Sequence, residues 1–135
     1  MTDPTSHVNL VRTTLQAADS GDLDGCRAGM HPDLTVTIAG VPTPIVGREN
    51  WLGSVAQMAE AFPDLKTTVA DVVATGDRVA VRTIITGTHR GAFHGIEATG
   101  RPIEVMSNDF YRVENDRIVE GWIVTDTGTL FSQIS

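Results

Sequence analysis

Cysteine, aromatic rings and positive charge are all scarce in this sequence. Cys26 is the only cysteine among 135 residues, so no disulfide forms within the chain, in keeping with a reducing compartment. Lysine and arginine total 10 against 17 aspartates and glutamates, for a formal net charge of −7. Nucleic-acid backbones and anionic membranes are held through clustered Lys and Arg. Neither is therefore an expected partner. No stretch approaches the roughly 20 apolar residues that a membrane helix needs, and there is no internal repeat or low-complexity tract. The opening residues MTDPTSHVNL have no basic head and no apolar run, so no secretory leader is expected and the cytoplasm is the expected compartment. His7, His31, His89 and His94 lack zinc-like spacing, and one cysteine adds nothing, so no metal site is expected. Gly91, Gly95 and Gly100 do not open a helix after a strand; they mark turns, not a phosphate cradle. No nucleophile-elbow sequence is present either, which argues against Ser-His-Asp chemistry.

The chain that remains has the composition of a soluble globular protein, 41% hydrophobic and 20% charged. Residues 1–135 suit a single domain able to enclose a core and a modest cavity, and a small hydrophobic molecule is the expected ligand. Val8, Val11, Leu15 and Ala18 keep helical spacing, and Asp22, Leu23 and Cys26 suggest a second short helix after Gly21. His31-Pro32 breaks it, and Leu34 to Ile38 alternate as a strand before the loop AGVPTPIVG. Trp51, Val55, Met58, Ala59 and Phe62 form one stripe of a helix ended by Pro63. Beyond Asp64 nearly everything reads as strand, with a turn at Gly76-Asp77, a Gly-rich loop at 90–101 and a last helical turn in TGTLFSQI. Helices gathered ahead of long antiparallel strands indicate an α+β fold.

The run FPDLKTTV, the loop GTHRGAFHGIEATGR, and the ending DFYRVENDRIVEGWIVTD resemble the SnoaL-like polyketide cyclase family, within the nuclear transport factor 2-like superfamily. The resemblance covers about residues 8 to 134. It implies a conical α+β barrel: a curved antiparallel sheet with N-terminal helices encloses an apolar pocket, commonly in a homodimer. It implies cofactor-free acid/base chemistry on a small hydrophobic or polycyclic carbonyl compound. The same scaffold also carries binding modules and epoxide hydrolases, so the chemistry has to be argued from pocket residues. In the family's aldol-type cyclases the position of Asp109 is commonly histidine, and the position of Ile123, after the tryptophan, is an acid/base aspartate. Ile123 neither takes a proton from carbon nor stabilises an oxyanion. The resemblance leaves Asp109 and Asp126 as the acids in matching positions.

The hairpin around Glu114-Asn115-Asp116 sets the faces. Read as a three-residue bulged turn, with Asp116 in a left-handed conformation, it puts Ser107, Asp109 and Tyr111 on one face. Their expected partners are Ile123, Gly121 and Val119 respectively. Asn108, Phe110, Arg112, Glu120, Trp122 and Val124 take the other face, suited to a subunit interface. For Asp109 two readings stand. It is a general acid/base whose pKa is raised by an apolar pocket, or a structural acid held by a backbone amide, Arg82 or Arg112. Tyr111 is an oxyanion donor or a core aromatic; Asp126 is a second acid or the cap of the last helical turn. Trp51, Val55, Met58, Phe62, Ser107 and Ile123 are the expected pocket wall, and His94 a ligand contact from the loop at the mouth.

Overall fold

The structure, a computed structural model, describes residues 4–135. Two helices come first, α1 (Pro4–Asp19) and α2 (Leu23–Gly29), followed by β1 (Met30–Ile38), β2 (Ile45–Val46) and α3 (Arg48–Ala61). Four long strands then run in succession, β3 (Lys66–Thr75), β4 (Arg78–Thr88), β5 (Pro102–Glu114) and β6 (Arg117–Thr125), and α4 (Thr127–Ile134) closes the chain. The α+β order expected from the sequence is thus what forms. One sheet holds all six strands in the order β2-β1-β6-β5-β4-β3. It does not close, because β2 and β3 both end as edges. It is also mixed, where a wholly antiparallel sheet was expected. β1 runs parallel to β6, which no short turn forbids, since more than half of the chain lies between the two strands.

Long antiparallel ladders form where the β-branched residues cluster, from β3 to β6. Register shifts interrupt β1/β6, β3/β4 and β5/β6. Each such irregularity adds local twist and bend, and together they curl the sheet around the helices. Alternation along β5 is complete from Ile103 to Val113: odd positions are buried and the even ones face out. That period of two is the signature of a sheet with one covered face.

α1 packs with His7, Val11 and Thr14 innermost, while Val8, Leu15 and Ala18 sit at the margin of the face. The helix turns slightly from the all-apolar stripe because two polar residues find partners inside. The His7 ring nitrogen Nδ1 lies 3.1 Å from the Gly76 carbonyl, and Thr14 donates to the Leu10 carbonyl at 2.8 Å. The end of α1 is tied to β3 by Asp19, which accepts from the Thr67 amide and hydroxyl at 2.6 and 2.7 Å.

Three local expectations change. β1 begins at Met30 rather than Leu34, so His31 and Pro32 lie within the strand; the His31 ring accepts from the Asp33 amide at 3.0 Å. Ile45 and Val46, inside the expected loop, add a two-residue strand to β1. On α3 the deepest side chains include Leu52 and Ala61, absent from the expected stripe, while Trp51 and Met58 are half-buried. The core is accordingly divided. One cluster joins α1, α2 and the centre of the sheet, and the other gathers Phe62, Ile103, Val105, Leu130 and Ile134 beneath α4.

Candidate acid/base site

The β5–β6 hairpin turns more tightly than its sequence suggests. Glu114 pairs with Arg117, leaving Asn115 and Asp116 as a two-residue turn with φ of 50° and 61°. Asn and Asp tolerate this left-handed backbone, and two such residues make the turn that best follows strand twist. One residue further on, Val113 pairs with Ile118 and Arg112 with Glu120, so Val119 is a bulge. The shorter turn and the bulge each move the register by one. Beyond them every partner differs by two from the expected one, and the faces are unchanged.

Ser107, Asp109 and Tyr111 therefore do share the inner face, but with new partners. Ile123 sits across from Asp109, Gly121 across from Tyr111, and Thr125 across from Ser107. The space left by Gly121 serves the tyrosine ring, not the acid. A Cβ there would lie 3.3 Å from ring atoms Cδ1 and Cε1 of Tyr111.

Asp109 is 6% exposed. Its Oδ1 accepts from Ser107 Oγ at 2.8 Å and from the Val124 amide at 3.3 Å, and its Oδ2 faces the Tyr111 hydroxyl at 3.5 Å. Neither arginine reaches it. Arg82 pairs with Asp71 at 2.7 Å, and Arg112 pairs with Glu114 and Glu120 at 2.6 and 3.1 Å, all on the opposite face. Burial without a cation disfavours the ionised form and raises the Asp109 pKa, against the opposing pull of hydrogen bonds from Ser107, Val124 and Tyr111. The Tyr111 phenol is pushed well above its ordinary value, by burial first and then by the nearby Asp109 charge. It stays protonated and is a donor throughout the usable pH range.

Beside this cluster lies an apolar cavity of about 50 Å³. α1 contributes Val11, Thr14, Leu15 and Ala18, β1 contributes Met30, Leu34 and Val36, and α3 contributes Trp51. Tyr111, Ile118, Gly121 and Ile123 complete the lining. Asp109 is flanked by two lining residues, Tyr111 on its own strand and Ile123 across the ladder, without lining the cavity itself.

Of the residues expected to form the wall, Trp51 and Ile123 do so, and Val55 packs in the same core cluster. Met58 and Phe62 do not; they belong to the second cluster. The single helix stripe spans both clusters because Phe62 lies just past the end of α3 and turns toward β5. His94 is exposed and packs edge-on against Phe93 and Phe131, away from the cavity. Asp126 is exposed and caps α4, accepting from the Thr129 amide at 3.1 Å and hydroxyl at 2.6 Å. Those bonds lower its pKa, and none joins it to Asp109. The wall contributed by α1 was missed although its stripe was visible in the sequence. Nothing in the sequence said that this helix, rather than α3, covers the acid's face. No group of three or more metal-ligating side chains gathers among the described residues.

The family model for SnoaL-like polyketide cyclase matches residues 8–134. Among solved structures, IdmH from Streptomyces antibioticus, a candidate polyketide cyclase, is 36% identical with a TM-score of 0.85, over 95% of this chain and 97% of that one. AclR from Streptomyces galilaeus, a candidate hydroxylase, is 25% identical with a TM-score of 0.87, over 98% of this chain and 97% of that one. A SnoaL-like protein from Jannaschia sp. CCS1 shares the fold at 24% identity and a TM-score of 0.90, over 98% and 93%. No curated protein matches the chain significantly.

Proposed function

Since the chain belongs to the SnoaL-like polyketide cyclase family, we propose that it is a cofactor-free cyclase or isomerase acting on a small hydrophobic or polycyclic carbonyl compound. Asp109 is its general acid/base and Tyr111 the hydrogen-bond donor beside it. The observation that carries this reading is a buried carboxyl with a raised pKa, no cationic partner and an apolar cavity at its flank. A carboxylate so placed is a stronger base than a solvated one, which suits it to take a proton from a carbon next to a carbonyl. Tyr111, protonated at every working pH, donates to the oxygen on which charge then develops. Ile123 across the ladder supplies no second acid, so one carboxyl both takes the proton and returns it. That favours isomerisation or a cyclisation in which donor and acceptor atoms lie within reach of a single group.

The cavity is smaller than such a substrate, at about 50 Å³ against roughly 300–1,000 Å³ for most ligand pockets. Substrate entry therefore requires Trp51 or the α1 wall to yield. A second reading, a non-catalytic ligand-binding protein, is favoured by the same cavity, because Asp109 does not line it. Epoxide hydrolysis, which needs an arginine and two acids about one water, finds no support around Asp109, since Arg82 and Arg112 are engaged elsewhere. We also propose a homodimer through the outer sheet face, where Phe110 and Val124 are each 55% exposed. The test of catalysis is turnover of a panel of aromatic and partly cyclised polyketone compounds by the protein and by Asp109→Asn. A loss of about 10²-fold or more is expected for an acid/base. Unchanged turnover removes Asp109 from the acid/base role, and binding without turnover across the panel supports the binding reading.

A further inference from the structure

The hydrogen-bond chain that starts at Asp109 does not end at Ser107. Ser107 Oγ lies 2.8 Å from Asp109 Oδ1 and 2.9 Å from Thr125 Oγ1. An ionised Asp109 has no hydrogen to give, so the single Ser107 hydroxyl hydrogen goes to the acid. Thr125 must then donate to Ser107, and the three groups form a chain with one polarity. The strand register holds it, since Ser107 and Thr125 are cross-strand partners and Asp109 lies two residues along on the same face. Exposure is lowest in the middle of the chain and rises toward its Thr125 end. Ser107 is 1% and Asp109 6% exposed, whereas Thr125 is half-buried and its neighbour Asp126 is exposed. Apart from Tyr111, no titratable side chain is hydrogen-bonded to Asp109 among the described residues.

We infer that Ser107 and Thr125 are a proton relay joining the Asp109 carboxyl to solvent at the corner between β6 and α4, away from the cavity. The inference rests on the acid/base reading of Asp109. When Asp109 has taken a proton, its O–H bond breaks as Ser107 Oγ gains that hydrogen. Ser107 passes its own hydrogen to Thr125 Oγ1, and Thr125 passes its own to a solvent water or buffer base. Asp109 regains its negative charge and the acceptor gains one positive charge. Each hydroxyl keeps one hydrogen, now pointing inward, which is the polarity deduced for the ionised acid. The reverse sequence protonates Asp109. A ligand filling the cavity would lie against Tyr111 and Ile123, on either side of the acid, and leave this outer route open.

The experiment is carbon-13 relaxation dispersion on the labelled Asp109 carboxyl, each protein held at its own titration midpoint, in which the proton itself is the probe. Thr125→Val keeps the shape and removes the hydroxyl, and proton exchange should slow about tenfold or more, equivalent to a barrier raised by roughly 1.4 kcal/mol. Thr125→Ser should restore the rate, which a purely structural role for the threonine would not predict. If Thr125→Val does not fold, Thr125→Ala is measured against Thr125→Ser in the same way. An unaltered rate without the hydroxyl, or a slowed rate in Thr125→Ser, overturns the relay. No substrate is involved, so an error in the acid/base reading would appear separately, as unchanged turnover in Asp109→Asn alongside intact relay kinetics.

Discussion

Replacing Asp109 by asparagine should make the protein more stable at neutral pH while removing its capacity for proton transfer. An asparagine oxygen accepts from Ser107 and the Val124 amide as the carboxylate does, and its NH₂ turns toward the Tyr111 oxygen. The hydrogen-bond set survives and the buried charge is lost. Because burial raises the folded pKa of Asp109 above its unfolded value, the wild-type acid contributes its full stability below the unfolded pKa. That contribution is lost as pH rises through the folded pKa. Each unit of elevation is worth about 1.4 kcal/mol at neutral pH, and each kcal/mol moves the melting temperature of a domain this size by roughly 4 °C. Thermal unfolding of both proteins from pH 3 to pH 8 measures the difference directly. Asp109→Asn should gain on the wild type across the window that begins at the unfolded carboxyl pKa and closes above the folded one. A difference that is constant with pH, or a variant that melts lower at pH 7, would refute the claim that desolvation dominates this site.

Gly121→Ala should crowd the Tyr111 ring, whose atoms stand 3.3 Å from the added carbon, and cost about 1–3 kcal/mol in urea unfolding; an unchanged midpoint would mean that the ring moves freely. Asp126→Ala should lower the melting temperature by uncapping α4 and leave the Asp109 titration where it was. Because the folded pKa of Asp126 is depressed, its contribution is present above the unfolded pKa and fades as pH falls through the folded one, the opposite sense to Asp109. Phe110→Glu, on the exposed sheet face, should shift sedimentation at micromolar concentration from dimer to monomer, and a wild-type protein that is already monomeric would contradict the proposed interface.

The long elements were legible because their patterns are strong. The alternation from Ile103 to Val113 gives a period of two over eleven residues, and Gly76-Asp77 marks its turn plainly, whereas the turn before Arg117 is one residue shorter than expected. The inner face of β5 was legible for the same reason, so Ser107, Asp109 and Tyr111 emerged together. Exact partners were not. A bulge such as that at Val119 has no fixed residue type, and together with the shorter turn it moves every later pair by two while leaving the same residues on the inner face. The wall opposite the acid was equally hidden, since a helical stripe says that a face is buried but not against what. Asp126 illustrates a further limit: an acid at a strand end looks the same in sequence whether it faces a ligand or caps a helix, and here the Thr129 amide and hydroxyl decide.

The bulge in β6 also marks the one place where the hairpin can change length without turning over. Val119 is the one residue between Ile118 and Glu120 without a partner on β5. A lineage that lost this single codon would keep Ile118 opposite Val113 and Glu120 opposite Arg112, so the ladder would become regular and Gly121, Trp122, Ile123 and Val124 would keep their sides. What would go is the extra local twist that the bulge gives the strand. Loss or gain of one residue in the regular stretch beyond Glu120 would instead exchange the two sides of everything after it. The spacing from Asp109 to Ile123 can therefore differ by one among relatives whose inner faces are the same.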